Sequence, residues 1–524
     1  MVVAITSRTL DFLDLAEAAA RLDPNKLAVV DYSWGLREAY TYLDIERFSN
    51  NIASVLEELG IFKGGRVSTL SYNSVEHLSL YIATIKKGAI LAPLSWRASP
   101  KELAFMIDDV EPKVLFYHKE FEDLLKKALE LSSHKPKAVD IEELRGLHKE
   151  ELKKSYRKEP PSEEDISMLL YTGGTTGGLK AAIIPYRQVI WNAINTVISW
   201  GLMPSDIAPN FFPFFHTGGW HVITIPLYMV RGTIVLVKRF DPDEAIEVIE
   251  KERCTIVLAV PTMYQMMAKS PKFKEAKFES VRFFKSGGGM SPYELVKTYW
   301  DKGAKYFQGY GLTEAGPNLL YTPEVTMKEK AMSVGKPGLF VQLKVVKEDG
   351  TEAKPGEVGE LYVRGPITFV GYWKRPKETA DTITADGWVR TGDLFTVDED
   401  GYFYFVERRK FMIKTGGENV YPSEVEEAIR GHPGVEEIAV FGVPDPKWIE
   451  AVAAAVKPKP GWRITPEEIR AYLRDKIANY KIPKHVWIVD EVPKTAIGKI
   501  DYAYLKRTYS EIVKQMTSEA TSKS

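Results

Sequence analysis

The chain has 524 residues, 44% hydrophobic and 27% charged, with 70 basic against 71 acidic side chains and a formal net charge of −1. This length exceeds one compact unit and points to roughly two to four substructures, and the balanced charge gives no global field for nucleic acid or an anionic membrane. Cys254 is the sole cysteine, which excludes an intramolecular disulfide and a multi-cysteine metal site.

Met1 to Thr6 lacks a basic flank and an adequate apolar run, and no later window approaches about eighteen uninterrupted apolar residues, so the expected location is cytoplasmic with no integral membrane segment. From residue 40 the pattern alternates: Tyr42 to Leu59 helical, Arg66 to Ser71 extended, Val75 to Lys87 helical, Ala89 to Leu94 extended. Lys113 to Tyr117, Thr233 to Val237, Thr255 to Val260 and Val281 to Lys285 read as buried strands, with Asp241 to Glu252 a helix between two of them. Such alternation predicts βα units around parallel sheets.

Between about 335 and 406 the texture changes to short strands, Leu343 to Lys347, Glu360 to Arg364 and Tyr402 to Val406, punctuated by turns at Gly350, Gly356 and Gly401. This predicts a smaller β-rich subdomain. After Arg408-Arg409-Lys410 the pattern resets, with helices over Ser423 to Arg430 and Pro466 to Ile477 and strands over Ile438 to Val443 and His485 to Val489. A separate α+β lid is the simplest account. Thr517 to Ser524 has the composition of a frayed terminus.

The segment Tyr171-Thr-Gly-Gly-Thr-Thr-Gly-Gly-Leu-Lys180 lies between two apolar runs, Ser167 to Leu170 and Ala181 to Ile184. A strand-loop-strand phosphate grip follows. Gly173, Gly174 and Gly177 let backbone N–H groups close on phosphate oxygens, Thr172, Thr175 and Thr176 add hydroxyls, and Lys180 adds a cation. It is not a Walker A loop, since Leu179 stands where lysine belongs and Ala181 follows Lys180. Read alone, it is equally a flexible glycine-rich hairpin.

Taken with the rest of the chain, this segment resembles the first signature, Thr-Ser-Gly-Thr-Thr-Gly-x-Pro-Lys-Gly, of the adenylate-forming superfamily of acyl-CoA synthetases, aryl-CoA ligases, beetle luciferases and peptide-synthetase adenylation domains. It departs at Gly173, Leu179 and Ala181. Gln308-Gly309-Tyr310-Gly311-Leu-Thr313-Glu314-Ala-Gly316-Pro317 is similar to the second signature. There the resemblance implies that Tyr310 stacks on adenine, Thr313 contacts the α-phosphate and Glu314 holds Mg²⁺, roles that suit a flat ring, a donor and a hard oxygen.

The same resemblance makes Gly287, Gly288 and Gly289 a wall of the adenine and acyl site, Asp393 in Thr391-Gly-Asp393 the ribose acceptor, and Arg408 a ribose or phosphate contact. Lys410 takes the hinge position. Lys414, Gly416, Gly417 and Glu418 form the thioester face, and Lys499 in Pro493-Lys-Thr-Ala-Ile-Gly-Lys499 is the catalytic lysine. Pro213-Phe-Phe-His216-Thr-Gly218-Gly219-Trp220 resembles the acyl-site segment, with His216 as gate. Gly316 is expected in the acyl pocket too, and the recurring small residues suggest a roomy cavity. The lid departs at Ile449, where the family carries glycine.

The implied fold is α/β: a large multi-subdomain N-terminal domain, residues 1–409, of parallel α/β sheets plus a small distorted β-barrel, and a mobile α+β C-terminal lid, residues 410–524. The implied activity is an ATP- and Mg²⁺-dependent ligase that makes an acyl-adenylate and passes the acyl group to coenzyme A, with Lys499, Thr175, Glu314 and His216 in catalytic positions. A medium-chain fatty acid is the expected substrate and an aryl acid the alternative. A non-CoA acceptor and a non-catalytic nucleotide-binding homologue share the adenylation motifs. The partners expected are small molecules, not nucleic acid, and a homodimer is compatible with the sequence. No Gly-x-Ser-x-Gly elbow or His-Glu-x-x-His helix supports a hydrolase or metalloprotease.

Overall fold

Local signals set the element boundaries around which the chain folds. In the computed structural model, which describes residues 15–151, 162–174, 178–415, 418–445, 448–474, 476–494 and 500–522, helix Tyr42–Glu58 opens on a capping box between Thr41 and Asp44. Helix Val75–Lys87 is bounded by Ser74, whose hydroxyl accepts the His77 N–H, and by Gly88 in the left-handed conformation. Asp241 caps Pro242–Lys251 in the same way, with proline at the first turn.

These helices pack on three sheets. The largest has six strands in the order Lys137–Asp140, Val114–Tyr117, Arg66–Leu70, Ile90–Pro93, Ile166–Gly174 and Gly178–Pro185. It is parallel apart from its last pair, an antiparallel hairpin whose tip is the phosphate-grip segment. A second sheet holds Glu38–Thr41, Leu27–Asp31, Thr233–Leu236 and Ile207–Asn210; a third holds Ile256–Ala259, Phe283–Ser286, Tyr306–Leu312, Gly316–Tyr321 and Lys336–Pro337. One core joins Val67, Leu91, Met168, Trp220, Ile234 and Phe307 across all three. Burial of such side chains is the main stabilising term. Cys254 lies in the neighbouring core, where burial raises its thiol pKa.

The β-rich subdomain is an antiparallel sheet of Gln342–Val346, Gly359–Arg364, Val389–Val397 and Phe403–Arg408. The next sheet begins at Ile413 and has its own core of Ile413, Val425, Val440, Val452 and Leu473. The two are tied by Ser423, whose N–H donates to Glu407 Oε2 at 3.0 Å and whose hydroxyl donates to the Val406 carbonyl at 2.8 Å. Of the expected frayed terminus, Thr517 to Ser524, the described part up to Ser522 is instead helical backbone, because helix Tyr502–Ser522 runs through it. Extending an existing helix costs far less than nucleating one, so weak periodicity suffices. No helix among the described residues is long and apolar enough to cross a membrane.

Candidate active site

The second glycine-rich segment forms a hairpin between Tyr306–Leu312 and Gly316–Tyr321. Its strands approach so closely that a Cβ at Gly311 would lie 2.1 Å from the Pro317 backbone, which only glycine avoids. From this hairpin the Tyr310 hydroxyl donates to Asp393 Oδ2 at 2.6 Å, and the Tyr310 ring meets Phe395 edge-on at 4.8 Å. Asp393 and Arg408 are direct cross-strand partners, with Arg408 Nε 3.1 Å from Asp393 Oδ1.

Asp393 is 2% exposed, and burial raises its pKa against the opposing pull of Arg408 and the Tyr310 hydroxyl. Its Oδ1 is buried without a hydrogen bond, since the Arg408 contact is an ion pair whose angle misses hydrogen-bond geometry. A buried acceptor left this way costs about 1–3 kcal/mol until a donor arrives.

Glu314 follows on the same hairpin. Tyr372 donates to its Oε1 at 3.0 Å, and Lys180 Nζ sits 5.1 Å from the Tyr372 ring centroid. Lys410 is in the turn after Phe403–Arg408, where Thr391, Gly392, Arg408, Arg409 and Lys410 line a cavity of about 450 Å³. Its ammonium is lowered to about 8, chiefly by desolvation, then by Arg408 and Lys180, against Asp393 and Glu314. The first and second signatures thus converge with the hinge position on one locus. Among the described residues no group of three or more His, Cys, Asp or Glu could hold a metal by itself. The Glu314 carboxylate is a hard oxygen donor of the kind Mg²⁺ accepts when it also keeps phosphate and water ligands.

Of the phosphate-grip residues, Thr172 is register partner of Lys180, and the backbones of Gly173 and Gly174 pair with Leu179 and Gly178. Thr175, Thr176 and Gly177 lie outside the described residues, as do Gly416, Gly417 and Lys499. Gln308 is consumed by structure: its Oε1 accepts the Ser291 N–H at 2.8 Å and its Nε2 donates to the Ala331 carbonyl, which holds the Gly287–Gly289 segment against the sheet. Thr313 is buried beside it in the chain, its carbonyl accepting from Gln188.

The acyl-site segment departs from expectation. His216 is exposed and its Nδ1 accepts the Gly218 N–H at 3.0 Å. Trp220, however, is fully buried, stacked on Phe214 with centroids 3.9 Å apart, and is core rather than pocket wall. Gly218 and Gly219 do not add room, because a Cβ at Gly219 would lie 2.7 Å from the Pro213 carbonyl oxygen. Those glycines let the segment fold on itself. Gly316 is likewise packed, against Ile367 at 3.2 Å. A Cβ at Gly287 or Gly289 would meet its nearest neighbour at 3.8 Å, an ordinary contact, and Gly288 at φ +73 makes the turn between them.

On the lid, Lys414 pairs with Glu348 at 3.1 Å and Glu418 is exposed on the adjacent strand. Ile449 is 75% exposed with φ +73 and pairs with Thr415. Two residues escaped the motif reading. Tyr372, which follows Gly371 at φ +139, pairs with Ala182 across an isolated bridge and so reaches Glu314. Lys285 is a buried lysine, 7% exposed, in the strand Phe283–Ser286.

Residues 16–373 match the AMP-binding enzyme family and residues 424–499 the AMP-binding enzyme C-terminal domain. The chain is 36% identical over 494 residues to a feruloyl-CoA synthase from Amycolatopsis sp, covering 94% of this chain and 97% of that one. It is 34% identical over 499 residues to a long-chain-fatty-acid–CoA ligase from Mycobacterium tuberculosis, covering 94% and 97%. The structure resembles that of O-succinylbenzoate coenzyme A synthetase from Bacillus subtilis in complex with ATP and magnesium, with a TM-score of 0.82, 26% identity and coverage of 93% and 98%. The chain belongs to the AMP-binding enzyme family of the adenylate-forming superfamily, as an AMP-forming acyl-CoA synthetase that uses ATP, Mg²⁺ and coenzyme A.

Proposed function

We propose that the acid activated here carries an aromatic ring, and that the two half-reactions are divided between the site around Asp393 and the lid. A carboxylate is a poor acyl donor because its leaving group is oxide; adenylation replaces it with a phosphate ester. The single observation that carries the nucleotide assignment is the buried, unbonded Asp393 Oδ1 beside Tyr310 and Arg408. In this reading Asp393 accepts the ribose hydroxyls, Tyr310 flanks the base, and Thr172, Thr175, Thr176, Thr313 and Lys180 hold the phosphates. Glu314 would hold Mg²⁺, which would supply charge neutralisation on the phosphates. Positioning and charge neutralisation are the catalytic means.

Lys499 bridges the acid carboxylate and the α-phosphate during adenylation. The lid, residues 410–524, then turns about Lys410, withdrawing Lys499 and bringing Lys414, Gly416, Gly417 and Glu418 to face the thiol. His216 closes the acid end.

The 36% identity to a feruloyl-CoA synthase supports an aromatic acid. The second reading is the medium-chain fatty acid, supported by the 34% identity to a long-chain-fatty-acid–CoA ligase. Incubation with ATP, Mg²⁺, CoA and acids from acetate to palmitate, with benzoate and cinnamate analogues, separates the two by mass spectrometry of the thioesters. The aromatic reading fails if only aliphatic acyl-CoA forms. The division of labour predicts that Lys499→Ala loses adenylation and keeps thioester formation from supplied acyl-AMP; equal loss of both overturns it.

A further inference from the structure

The lid helix Pro422–Arg430 does not cap itself. Its N-cap residue, Tyr421, makes no side-chain cap, and Pro422 in the first turn has no N–H to offer. The first donor of the helix is the Ser423 N–H, and its partner comes from before the hinge position: Glu407 Oε2 accepts it at 3.0 Å, while the Ser423 hydroxyl donates to the Val406 carbonyl at 2.8 Å. Glu407 lies on strand Phe403–Arg408 and pairs with Leu394 inside the β-rich sheet. Its other oxygen accepts the Arg408 N–H at 2.8 Å. A carboxylate at a helix N-terminus meets both an otherwise unpaired N–H and the positive end of the helix dipole. The cap therefore ties the lid to the sheet across Lys410.

The helix is not free to leave this contact by itself. About one turn further on, Glu426 Oε1 accepts the Tyr502 hydroxyl at 2.7 Å and the Val440 N–H at 2.8 Å, and the Tyr502 ring lies 4.7 Å from that of Phe411, next to the hinge residue. These contacts join the helix to the lid sheet and to helix Tyr502–Ser522, so Ser423 moves when the lid moves. Glu407 stays with its own sheet. Because Glu407 is only 8% exposed, a lid that turned away would leave a carboxylate oxygen without its donor until water reached it. The other ion pair across the hinge, Lys414 with Glu348, joins two exposed side chains and holds little by comparison. Glu348 follows strand Gln342–Val346, at the edge of the sheet opposite the strand that carries Glu407 and Arg408. In the capped orientation the thioester-face lysine is thus engaged away from Asp393 and Arg408.

We propose that Glu407 is the latch of the lid: by capping helix Pro422–Arg430 across the hinge it holds the adenylation orientation, and the lid reaches the thioester orientation only when Ser423 is released. This rests on the hinge reading above and names the residue that sets its balance. Glu407 is a positioning residue, since in that reading it touches neither nucleotide nor acid. The rate of each half-reaction follows the population of the orientation that performs it, so a weaker cap lowers adenylation relative to thioester formation.

The test measures both half-reactions in each protein, with the acid that the panel above shows to be converted: pyrophosphate exchange for adenylation, and thioester formation from supplied acyl-AMP and CoA. In Glu407→Ala the ratio of adenylation to thioester formation falls about tenfold, the factor expected for losing one charge-assisted hydrogen bond. Glu407→Gln, whose amide oxygen still accepts the Ser423 N–H, keeps part of the ratio. An unchanged or raised ratio in Glu407→Ala overturns the latch, and the ratio decides even for a variant that folds poorly, because both rates scale with the folded fraction. The hinge reading is checked separately by the distance between spin labels in Leu131→Cys/Arg463→Cys, both positions being exposed and Cys254 buried. A single distance that is the same with ATP and with AMP plus CoA overturns the hinge reading, and the latch with it. Two distances whose populations are equal with and without Glu407→Ala overturn the latch alone.

Discussion

The Tyr310 hydroxyl and Asp393 Oδ2 are 2.6 Å apart across 83 residues of sequence, and this bond joins the glycine-rich hairpin to the β-rich subdomain. It spends one carboxylate oxygen on structure and leaves the other facing Arg408 without a hydrogen bond. Asp393→Asn removes the charge-assisted acceptor, worth about 1.5–3 kcal/mol, so kcat/KM for ATP falls roughly tenfold to a hundredfold. Tyr310→Phe keeps the ring and costs less. Pyrophosphate exchange at varied ATP measures both, and an unchanged KM for ATP in Asp393→Asn removes it from the nucleotide site.

In the proposed reading Tyr372 acts on the reaction through Glu314. Its hydroxyl donates to Glu314 Oε1 at 3.0 Å, so it orients the carboxylate without itself reaching substrate phosphate in this reading. Glu314→Gln shifts the Mg²⁺ dependence of adenylation to higher concentration, and Tyr372→Phe shifts it the same way by about fivefold less. The double variant then matches Glu314→Gln alone, since residues in one hydrogen-bond network do not add. Additive shifts in a magnesium titration would show that Tyr372 acts elsewhere.

What was legible in the sequence was local. Helix Val75–Lys87 could be bounded to the residue because Ser74 and Gly88 carry its start and stop, and the strand-loop-strand at Tyr171 to Lys180 follows from apolar runs flanking glycines. What stayed hidden depends on contacts between distant segments. Tyr372 meets Glu314 across 58 residues, and a tyrosine alone carries no sign of that. Trp220 sits in a segment resembling an acyl wall, yet its indole faces inward onto Phe214, Tyr81 and His77. Neighbouring glycines suggested space; backbone packing used it.

Ile449 holds a φ of +73, a conformation that a β-branched residue adopts at a cost of roughly 1–2 kcal/mol. Its side chain is 75% exposed, so little burial is lost on removal. Ile449→Gly therefore raises the lid's stability by about 1 kcal/mol after the entropy of glycine is subtracted. Thermal unfolding monitored through the lid checks the sign. A lowered midpoint would mean that the isoleucine contributes contacts outweighing the strain.

Asp31 and Glu76 are both buried, and Asp31 is pushed up to about 7, mostly by burial and next by Glu76. Glu76 is raised too, with Trp34 donating to its Oε2 at 3.1 Å and Arg145 4.0 Å from Oε1. His118, stacked on Trp34, is held neutral by burial near a pKa of about 4 and adds no compensating charge at neutral pH. Asp31 accepts the Ser33 and Val75 N–H groups at 2.7 Å each, which lowers its pKa but less than burial raises it. The folded protein therefore keeps a proton that the unfolded chain has released. This contribution is fully present below the ordinary carboxyl pKa of 3.8 and is lost as pH rises through about 7. Between pH 5 and 8 the loss amounts to as much as about 3 kcal/mol. Asp31→Asn, which cannot ionise, flattens that slope even though it sacrifices one acceptor and is less stable at pH 5. Urea midpoints of both proteins at the two pH values give the comparison: a shrinking difference toward pH 8 supports a protonated Asp31 in the folded state, and parallel curves would show that Asp31 is already ionised at pH 5.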